Sequence, residues 1–440
     1  MLKIVLINPS QGHTYLHKSR PEDNLIAKMH PPLGLGYLGA IALEKHHKVR
    51  IIDMPIRRLS LNALKSILTK EEPNVVGVSS FTSTYPNALR CAKIAKGLGS
   101  IVIMGGYHVS FKYADALYTK VVDIVVIGEG EVTFAELLDA IENQRNFHKI
   151  NGIAFLENIK GRDLVVRTPS RERIKDLDSL PLPAYQLMDM DLYARIEAFG
   201  IITGRGCPYK CKFCSSPSMW KRKVVYRGVD KVISEIKYLQ NVYNYSGKEL
   251  EIFDDVFTLS QERVIELCKS ISHEGINLRW NCLARVDRIN VKLIRAMKKA
   301  GCAQINFGIE SGSNDTLKRI NKGFTTEKAR KAVALCHNEG LNVGGFFIIG
   351  FPFETTADFE KTFTFMKELK CEETDLACLT PYPGTEFYEN KEEEGIKIVD
   401  HDLEKFNGLF PLISGKTFQR EDLAKYMMLF LNKYNDEYPG

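Results

Sequence analysis

Gly204-Arg205-Gly206-Cys207-Pro208-Tyr209-Lys210-Cys211-Lys212-Phe213-Cys214 places three cysteines on one short stretch, three residues apart and then two. Thiolates suit iron-sulfur ligation, and on so short a loop three sulfurs can converge on one cubane and hold three of its four irons. The fourth iron then stays open to a substrate. A structural zinc site would want a fourth Cys or His close by, and the next cysteine is Cys268.

Around this stretch, strand and helix signals alternate from 197 to 385, with strand-like runs at Gly200–Thr203, Leu250–Phe253, Leu278–Cys282, Gln304–Gly308, Val343–Ile349 and Thr374–Leu379. Six such units predict a partial (β/α)6 barrel, whose reacting groups belong at the carboxyl ends of the strands. Asp254 and Asp255, Arg285, Glu310 and Ser311, Gly350, and the Pro381–Thr385 turn fall there. A carboxylate suits an ammonium, a guanidinium fork suits a carboxylate, and ribose hydroxyls suit a carboxylate acceptor. The plainer readings are a helix cap for the aspartates and a structural ion pair for Arg285 and Glu310.

Residues 1–145 also alternate, with strands expected at Lys3–Asn8, Val49–Asp53, Val75–Ser79, Ile101–Gly105 and Ile124–Ile127. Short Val/Ile runs of this kind predict a doubly wound, Rossmann-like parallel sheet with ligands at its carboxyl edge. The loops there are rich in small residues: Asn8-Pro9-Ser10, Gly34 and Gly36, Ser79-Ser80-Phe81-Thr82, Gly105-Gly106, and Gly128-Glu129. Glycine admits close backbone approach, so a nucleotide or phosphate site is one reading. No Gly-x-Gly-x-x-Gly follows the first strand, which weakens a dinucleotide reading. Residues 146–196, with Arg162-Asp163 as a turn between two short strands and Pro181 and Pro183 further on, read as a linker.

The expected class is thus α/β, closed by a short helical cap over 386–440. Its stripe of Leu423, Tyr426, Met427, Phe430, Leu431 and Tyr434 is expected to pack on the barrel, with partner docking as the alternative. Sixty basic against 54 acidic residues in a chain of 440 give a net charge of +6 without a long basic block, so no nucleic-acid partner is indicated. Nothing approaches the roughly 18 to 20 consecutive apolar residues of a membrane span. A cytoplasmic location is expected, where the ten cysteines would be mostly reduced. Outside the loop, each cysteine reads as a small buried hydrophobe.

The Cys-x3-Cys-x2-Cys spacing, with Phe213 before the third cysteine and Gly-Arg-Gly before the first, resembles the radical S-adenosylmethionine (SAM) superfamily. The small-residue loops of the first 145 residues resemble the cobalamin-binding domain of one branch of it. The resemblance implies that Cys207, Cys211 and Cys214 hold a 4Fe-4S cluster. It further implies that Asp254 or Asp255 meets the SAM amino group, Arg285 its carboxylate and Glu310 its ribose. Ser311 would join them, and the backbone near Phe213, Gly350 and the Pro381–Thr385 turn would meet adenine. The small-residue loops named above would line cobalamin, with Ser79, Ser80, Gly105 and Gly106 around its nucleotide tail and Gly34 to Gly39 facing the corrin. The Asp-x-His-x-x-Gly that supplies a lower histidine in many cobalamin domains is absent, the loop reading Asn8-Pro9-Ser10-Gln11-Gly12-His13, so base-off cobalamin is expected. His13 and His108 stay open as ligands, with an ordinary loop histidine as the plainer reading of each.

The implied activity is cobalamin-dependent methylation of an unactivated carbon, one SAM methylating Co(I) and a second yielding the 5'-deoxyadenosyl radical. Cyclisation, ring contraction or carbon-carbon coupling on the same architecture is the alternative. An iron-sulfur and corrinoid electron carrier or sensor is the alternative of another class. An electron donor such as flavodoxin or ferredoxin is implied, and the substrate class (peptide or protein, lipid, tetrapyrrole or small metabolite) stays open.

Overall fold

The computed structural model describes residues 1–11, 29–245 and 248–437, with side chains to 432, in two compact units divided between Ile196 and Glu197. His13 and the side chain of Tyr434 lie outside the described residues.

In the first unit, β1 (Lys3–Asn8), β2 (Lys48–Asp53), β3 (Val75–Ser79), β4 (Ile101–Gly105) and β5 (Ile124–Val126) run parallel. β6 (Ile153–Ile159) and β7 (Arg162–Arg167) add to them antiparallel, giving the order β2-β1-β3-β4-β5-β6-β7. Val75, Val76, Val102 and Val125 are fully buried, as a strand packed on both faces requires. The strand order reverses between β1 and β3, which opens a crevice at their carboxyl ends.

The stretch read as a linker is largely folded onto this unit. β6 and β7 cover the edge that β5 would otherwise expose. The turn between them is Lys160-Gly161, two residues before the expected Arg162-Asp163, and Asn158 Oδ1 accepts from Gly161 N at 3.1 Å. Further on, Ala184 N donates to Gly36 O at 2.9 Å, and the Tyr193 hydroxyl donates to the buried Asp53 carboxylate.

In the second unit, β8 (Phe199–Ile201), β11 (Glu249–Ile252), β12 (Arg279–Ala284), β13 (Cys302–Glu310), β14 (Asn342–Ile349) and β15 (Glu373–Cys378) form a parallel sheet ordered β15-β14-β13-β12-β11-β8. β8 and β15 are both free edges, so the barrel is open, and each strand lies within two or three residues of its expected place at either end. Between β8 and β11, β9 (Gly204–Arg205) pairs antiparallel with β10 (Val225–Tyr226) and leads the chain into the cysteine loop. In the tail, Leu423, Tyr426, Met427 and Phe430 are buried on the helix Arg420–Glu437. Tyr426 packs edge-on against Phe359 and tilted against Phe363 of the helix Thr356–Leu369, and it donates to Glu360 at 2.7 Å. The stripe therefore packs on the barrel.

Gly106 has φ +113°, and a Cβ there would lie 2.5 Å from the Ser80 carbonyl oxygen. Gly106→Ala should cost at least about 2 kcal/mol of stability from the forbidden backbone and the clash. Gly34 has open space where its Cβ would be, inside the helix Leu33–Glu44, so Gly34→Ala should gain about 0.5–1 kcal/mol. Denaturant unfolding of the two variants checks both signs.

Candidate active site

The cysteine loop is held at both ends by adjacent carboxylates that follow β11. Asp254 is buried and accepts from Thr203 N, Thr203 Oγ1 and Gly204 N at 2.7, 2.6 and 2.8 Å. Asp255 accepts from Gly206 N at 2.9 Å, just before Cys207, and from the Ser216 hydroxyl, just after Cys214. The middle of the loop is tied by Lys212, whose amide donates to Ile320 O and whose carbonyl accepts from Phe387 N, both at 3.2 Å. Both carboxylates for which the resemblance implied a SAM amino group are thus turned onto the loop they brace. Burial pushes the Asp254 carboxyl up to about 6 against the pull of its three donors.

The three thiols are half-buried. Burial pushes Cys207 up to about 11 and raises Cys211 and Cys214. The Lys322 and Arg285 charges oppose that rise at Cys211. Cys207 lies close enough to Cys211 and Cys214 to feel the charge of both. Thiolates on a cubane each take a different iron, so this donor set fits a cluster with three cysteine ligands.

Arg285 leaves β12 buried, with Nε 3.0 Å from Asp287 Oδ1 and Nη2 2.6 Å from Lys322 O. Glu310 ends β13 at φ +71° after a shift in register, and its Oε1 accepts from Lys322 Nζ at 2.6 Å. Gly308 leaves the room for that pair, since a Cβ there would lie 2.5 Å from Oε1. Phe213 packs on Phe351, ring centres 5.8 Å apart, with Lys322 Nζ 5.6 Å from its own ring centre. Ser311 and Gly350, expected beside SAM, are held by bonds within the fold. Ser311 Oγ is buried against Thr362 Oγ1 at 3.2 Å, and the Gly350 amide donates to Glu354 Oε2 at 3.0 Å.

Glu354, which sequence reading passed over, joins these two loops. Its Oε2 also accepts from Phe351 N at 3.0 Å, and its Oε1 from Thr316 Oγ1 at 3.2 Å. Lys322 and Ser216 were passed over as well. All three lie outside the strand-end pattern that drew attention to the others. The remaining seven cysteines are buried, as expected.

In the first unit, β3 and β4 bring Ser79 opposite Gly105 and Ser80 against Gly106. The Ser80 hydroxyl is fully buried without a hydrogen-bond partner among the described residues, and Phe81 beside it is 54% exposed and stacked on Tyr107. A buried orphan hydroxyl next to a glycine, under an exposed aromatic pair, fits the tail of a large polar ligand. Asn8 reaches Asp53 at 3.0 Å and Ser79 at 3.4 Å, and Asn87 Nδ2 donates to Ser10 O at 2.9 Å, so the crevice walls are tied together beside Pro9. Gly128 N donates to Ser110 Oγ at 3.0 Å, and Ser110 Oγ to Gly106 O at 2.8 Å, which joins the loops after β4 and β5.

Three of the candidate residues are engaged within the unit itself. Gly36 packs against Pro183 and Met188 within the unit, where a Cβ would come within 2.9 Å. Glu129 turns to Arg173 and Ile174 N, at 3.2 and 3.1 Å. His108 is buried on Tyr85 with Nδ1 3.2 Å from Thr82 Oγ1, and burial pulls its ring down to about 4, so it is neutral and packed.

Residues 201–366 match the radical SAM superfamily, and residues 25–138 match the B12 binding domain. An uncharacterized methyltransferase of Pyrococcus horikoshii is 37% identical over 402 residues, covering 90% of this chain and 86% of the relative. The chain belongs to the B12-binding radical SAM family. An anaerobic magnesium-protoporphyrin IX monomethyl ester cyclase of Rubrivivax gelatinosus is 28% identical, over 94% of this chain and 76% of that one. Two solved structures share the fold. The radical SAM methyltransferase TsrM from Kitasatospora setae, with cobalamin and a 4Fe-4S cluster bound, has a TM-score of 0.73 at 19% identity, over 89% of this chain and 75% of that one. The cobalamin-dependent radical enzyme OxsB, with aqua-cobalamin and SAM bound, has a TM-score of 0.78 at 18% identity, over 98% of this chain and 67% of that one. As a member of this family, the chain is a radical SAM enzyme with a B12-binding domain.

Burial pushes Glu354 up to about 8, so the fold holds its proton where the unfolded chain releases it near 4.5. That proton stabilises the fold fully below about 4.5, and the contribution is lost as pH rises through about 8. Glu354→Gln, neutral at every pH, should flatten the fall in melting temperature between about pH 5 and 8 relative to the unsubstituted protein. Glu354→Ala, which strands two amides, should cost about 2 kcal/mol at any pH. Thermal unfolding across that range distinguishes the two.

Proposed function

We propose that this enzyme transfers a methyl group from SAM, by way of cobalamin, to an unactivated carbon. The observation that carries the reading is one short loop of three half-buried thiols, braced at the carboxyl end of the barrel sheet, in a chain that also carries a B12-binding domain. Bound there, the cluster would supply the electron that cleaves SAM to a hydrogen-abstracting 5'-deoxyadenosyl radical, and the cobalt would carry the methyl group.

Cys207, Cys211 and Cys214 would hold three irons. Glu310 keeps Lys322 on one oxygen, while its Oε2 carries no hydrogen bond among the described residues and suits a ribose hydroxyl. Phe213, stacked toward Phe351, offers an aromatic flank for adenine. In the first unit Asn8, Pro9, Ser10, Gly34, Ser79, Ser80, Phe81, Thr82, Gly105, Gly106 and Gly128 are the candidate lining for cobalamin. Base-off binding is supported by His108 being packed on Tyr85 and by a loop after β1 that lacks the Asp-x-His sequence. All ten cysteines are free thiols, in keeping with a reducing, cytoplasmic compartment and a one-electron donor protein such as flavodoxin or ferredoxin.

Cyclisation is the second reading, because the relatives include magnesium-protoporphyrin ester cyclases as well as methyltransferases of a cytidylyl phosphonate and of bacteriochlorophyllides. Reduced, cobalamin-loaded protein given methyl-deuterated SAM without substrate should place label on the corrinoid and release S-adenosylhomocysteine, followed by mass spectrometry. Formation of 5'-deoxyadenosine alone, with corrinoid bound, would favour cyclisation instead. Cys211→Ala should abolish 5'-deoxyadenosine formation and leave cobalamin binding intact, as measured by absorbance after gel filtration.

A further inference from the structure

We propose that Glu386 and Glu394 are positioning residues for the cluster: from the tail they clasp Lys212, in the middle of the cysteine loop, and so set how long that loop keeps its metal. The inference rests on the reading that Cys207, Cys211 and Cys214 hold the cluster.

Lys212 stands between Cys211 and Cys214. Its ammonium donates to Glu394 Oε1 at 2.8 Å and lies 3.3 Å from Glu386 Oε1. Its carbonyl accepts from Phe387 N at 3.2 Å, and the ammonium is 5.8 Å from the centre of the Phe387 ring. These partners sit on two short helices of the tail, Glu386–Glu389 and Lys391–Glu394. Thr385 caps the first, its Oγ1 accepting from Tyr388 N at 3.2 Å and donating to Tyr382 O at 2.7 Å, and Gly384 N donates to Glu389 Oε1 at 3.0 Å. The helices are therefore anchored to the turn that follows β15. Phe387 is buried and packs on Phe351, ring centres 6.0 Å apart, and Phe351 in turn meets Phe213 of the loop. The tail thus grips two successive loop residues, Lys212 by charge and Phe213 by way of Phe351.

Global stability is not what such a clasp serves. The Lys212, Glu394 and Glu386 side chains are 22%, 20% and 44% exposed, and ion pairs that reach solvent add little to the free energy of unfolding. Their effect is local. A cluster leaves when its thiolates part, which takes an opening of the loop much smaller than unfolding of the barrel. Lys212, flanked by two of the ligands, cannot move out with the loop while both carboxylates hold its ammonium. Breaking the two pairs belongs to the opening step, so they slow it.

The test follows loss of the reconstituted cluster to an iron chelator, by absorbance and without SAM, in the full chain carrying Glu386→Gln with Glu394→Gln, beside its melting temperature. The expected result is full iron content at the start, loss about three- to tenfold faster than in the unsubstituted protein, and an unchanged melting temperature. Loss from the unsubstituted protein should itself quicken between about 0.01 and 1 M salt, as screening weakens the clasp, and loss from the double variant much less so. Lys212→Glu should shed its cluster quickly, and adding Glu394→Lys, which restores the pair reversed, should slow the loss again. Lys212→Met serves if the glutamine variants do not fold. Loss at the unsubstituted rate from fully loaded variants overturns the proposal. So does faster loss that follows a lowered melting temperature and is not rescued by the reversed pair. Failure of the unsubstituted protein to assemble a cluster would instead overturn the underlying reading.

Discussion

A loop that presents three thiols to one cluster cannot hold its own shape. The residues from Cys207 to Cys214 make few hydrogen bonds among themselves, and fixing each in one conformation costs on the order of 1–2 kcal/mol of entropy. The barrel bears that cost through side chains that converge on the loop. Asp254 fixes the approach, Asp255 bridges Gly206 and Ser216 across the loop's base, and Arg285 lies under Tyr209 in its middle. Two adjacent carboxylates on one strand end can do this only because successive residues leaving a strand point in opposite directions. One faces back along the chain that enters the loop, and the other faces the loop's closure.

The same demand for precision explains why a buried acid joins the next two strands. Glu354 takes the amides of Gly350 and Phe351 on one oxygen and the Thr316 hydroxyl on the other. It therefore fixes the loops after β13 and β14 relative to each other. Burying that carboxylate is tolerable because every bond it makes survives protonation, with the hydroxyl of Thr316 able to accept as well as donate. In the first unit the corresponding constraint is steric. Ser80 and Gly106 approach so closely that no side chain fits between them, and the price is a serine hydroxyl left without a partner.

The strands were legible because apolar runs between polar breaks are dictated by burial on both faces, and the cysteine spacing was legible because loop ligation is local. What sequence could not convey is direction. Asp254, Asp255, Ser311 and Arg285 stand at strand ends as expected, yet whether such a side chain points to a ligand or back to the protein depends on neighbours distant in sequence, such as Ser216, Lys322 and Thr362. Gly36 misled for a related reason. A glycine where a helix meets a ligand and a glycine where a helix meets Pro183 look alike in sequence. Residues 146–196 looked like a linker because Pro181 and Pro183 break regular structure, although β6, β7 and Tyr193 fold onto the unit before and after them.

Charge in the second unit's strand mouth is arranged in matched pairs, Arg285 with Asp287 and Lys322 with Glu310, each with its side chains mostly buried. Paired charges of this kind add little to stability, because desolvation offsets attraction. Their value lies in fixing where donors point. Arg285, aimed by Asp287, lies on the Tyr209 ring and donates to Lys322 O, and Glu310 is steadied on one oxygen by Lys322. A glutamine at 310 would keep the shape but lose the charge that holds Lys322, leaving the ammonium facing the Phe213 and Phe324 rings. The two pairs act as one device because they meet at Lys322, whose carbonyl accepts from Arg285 and whose ammonium binds Glu310.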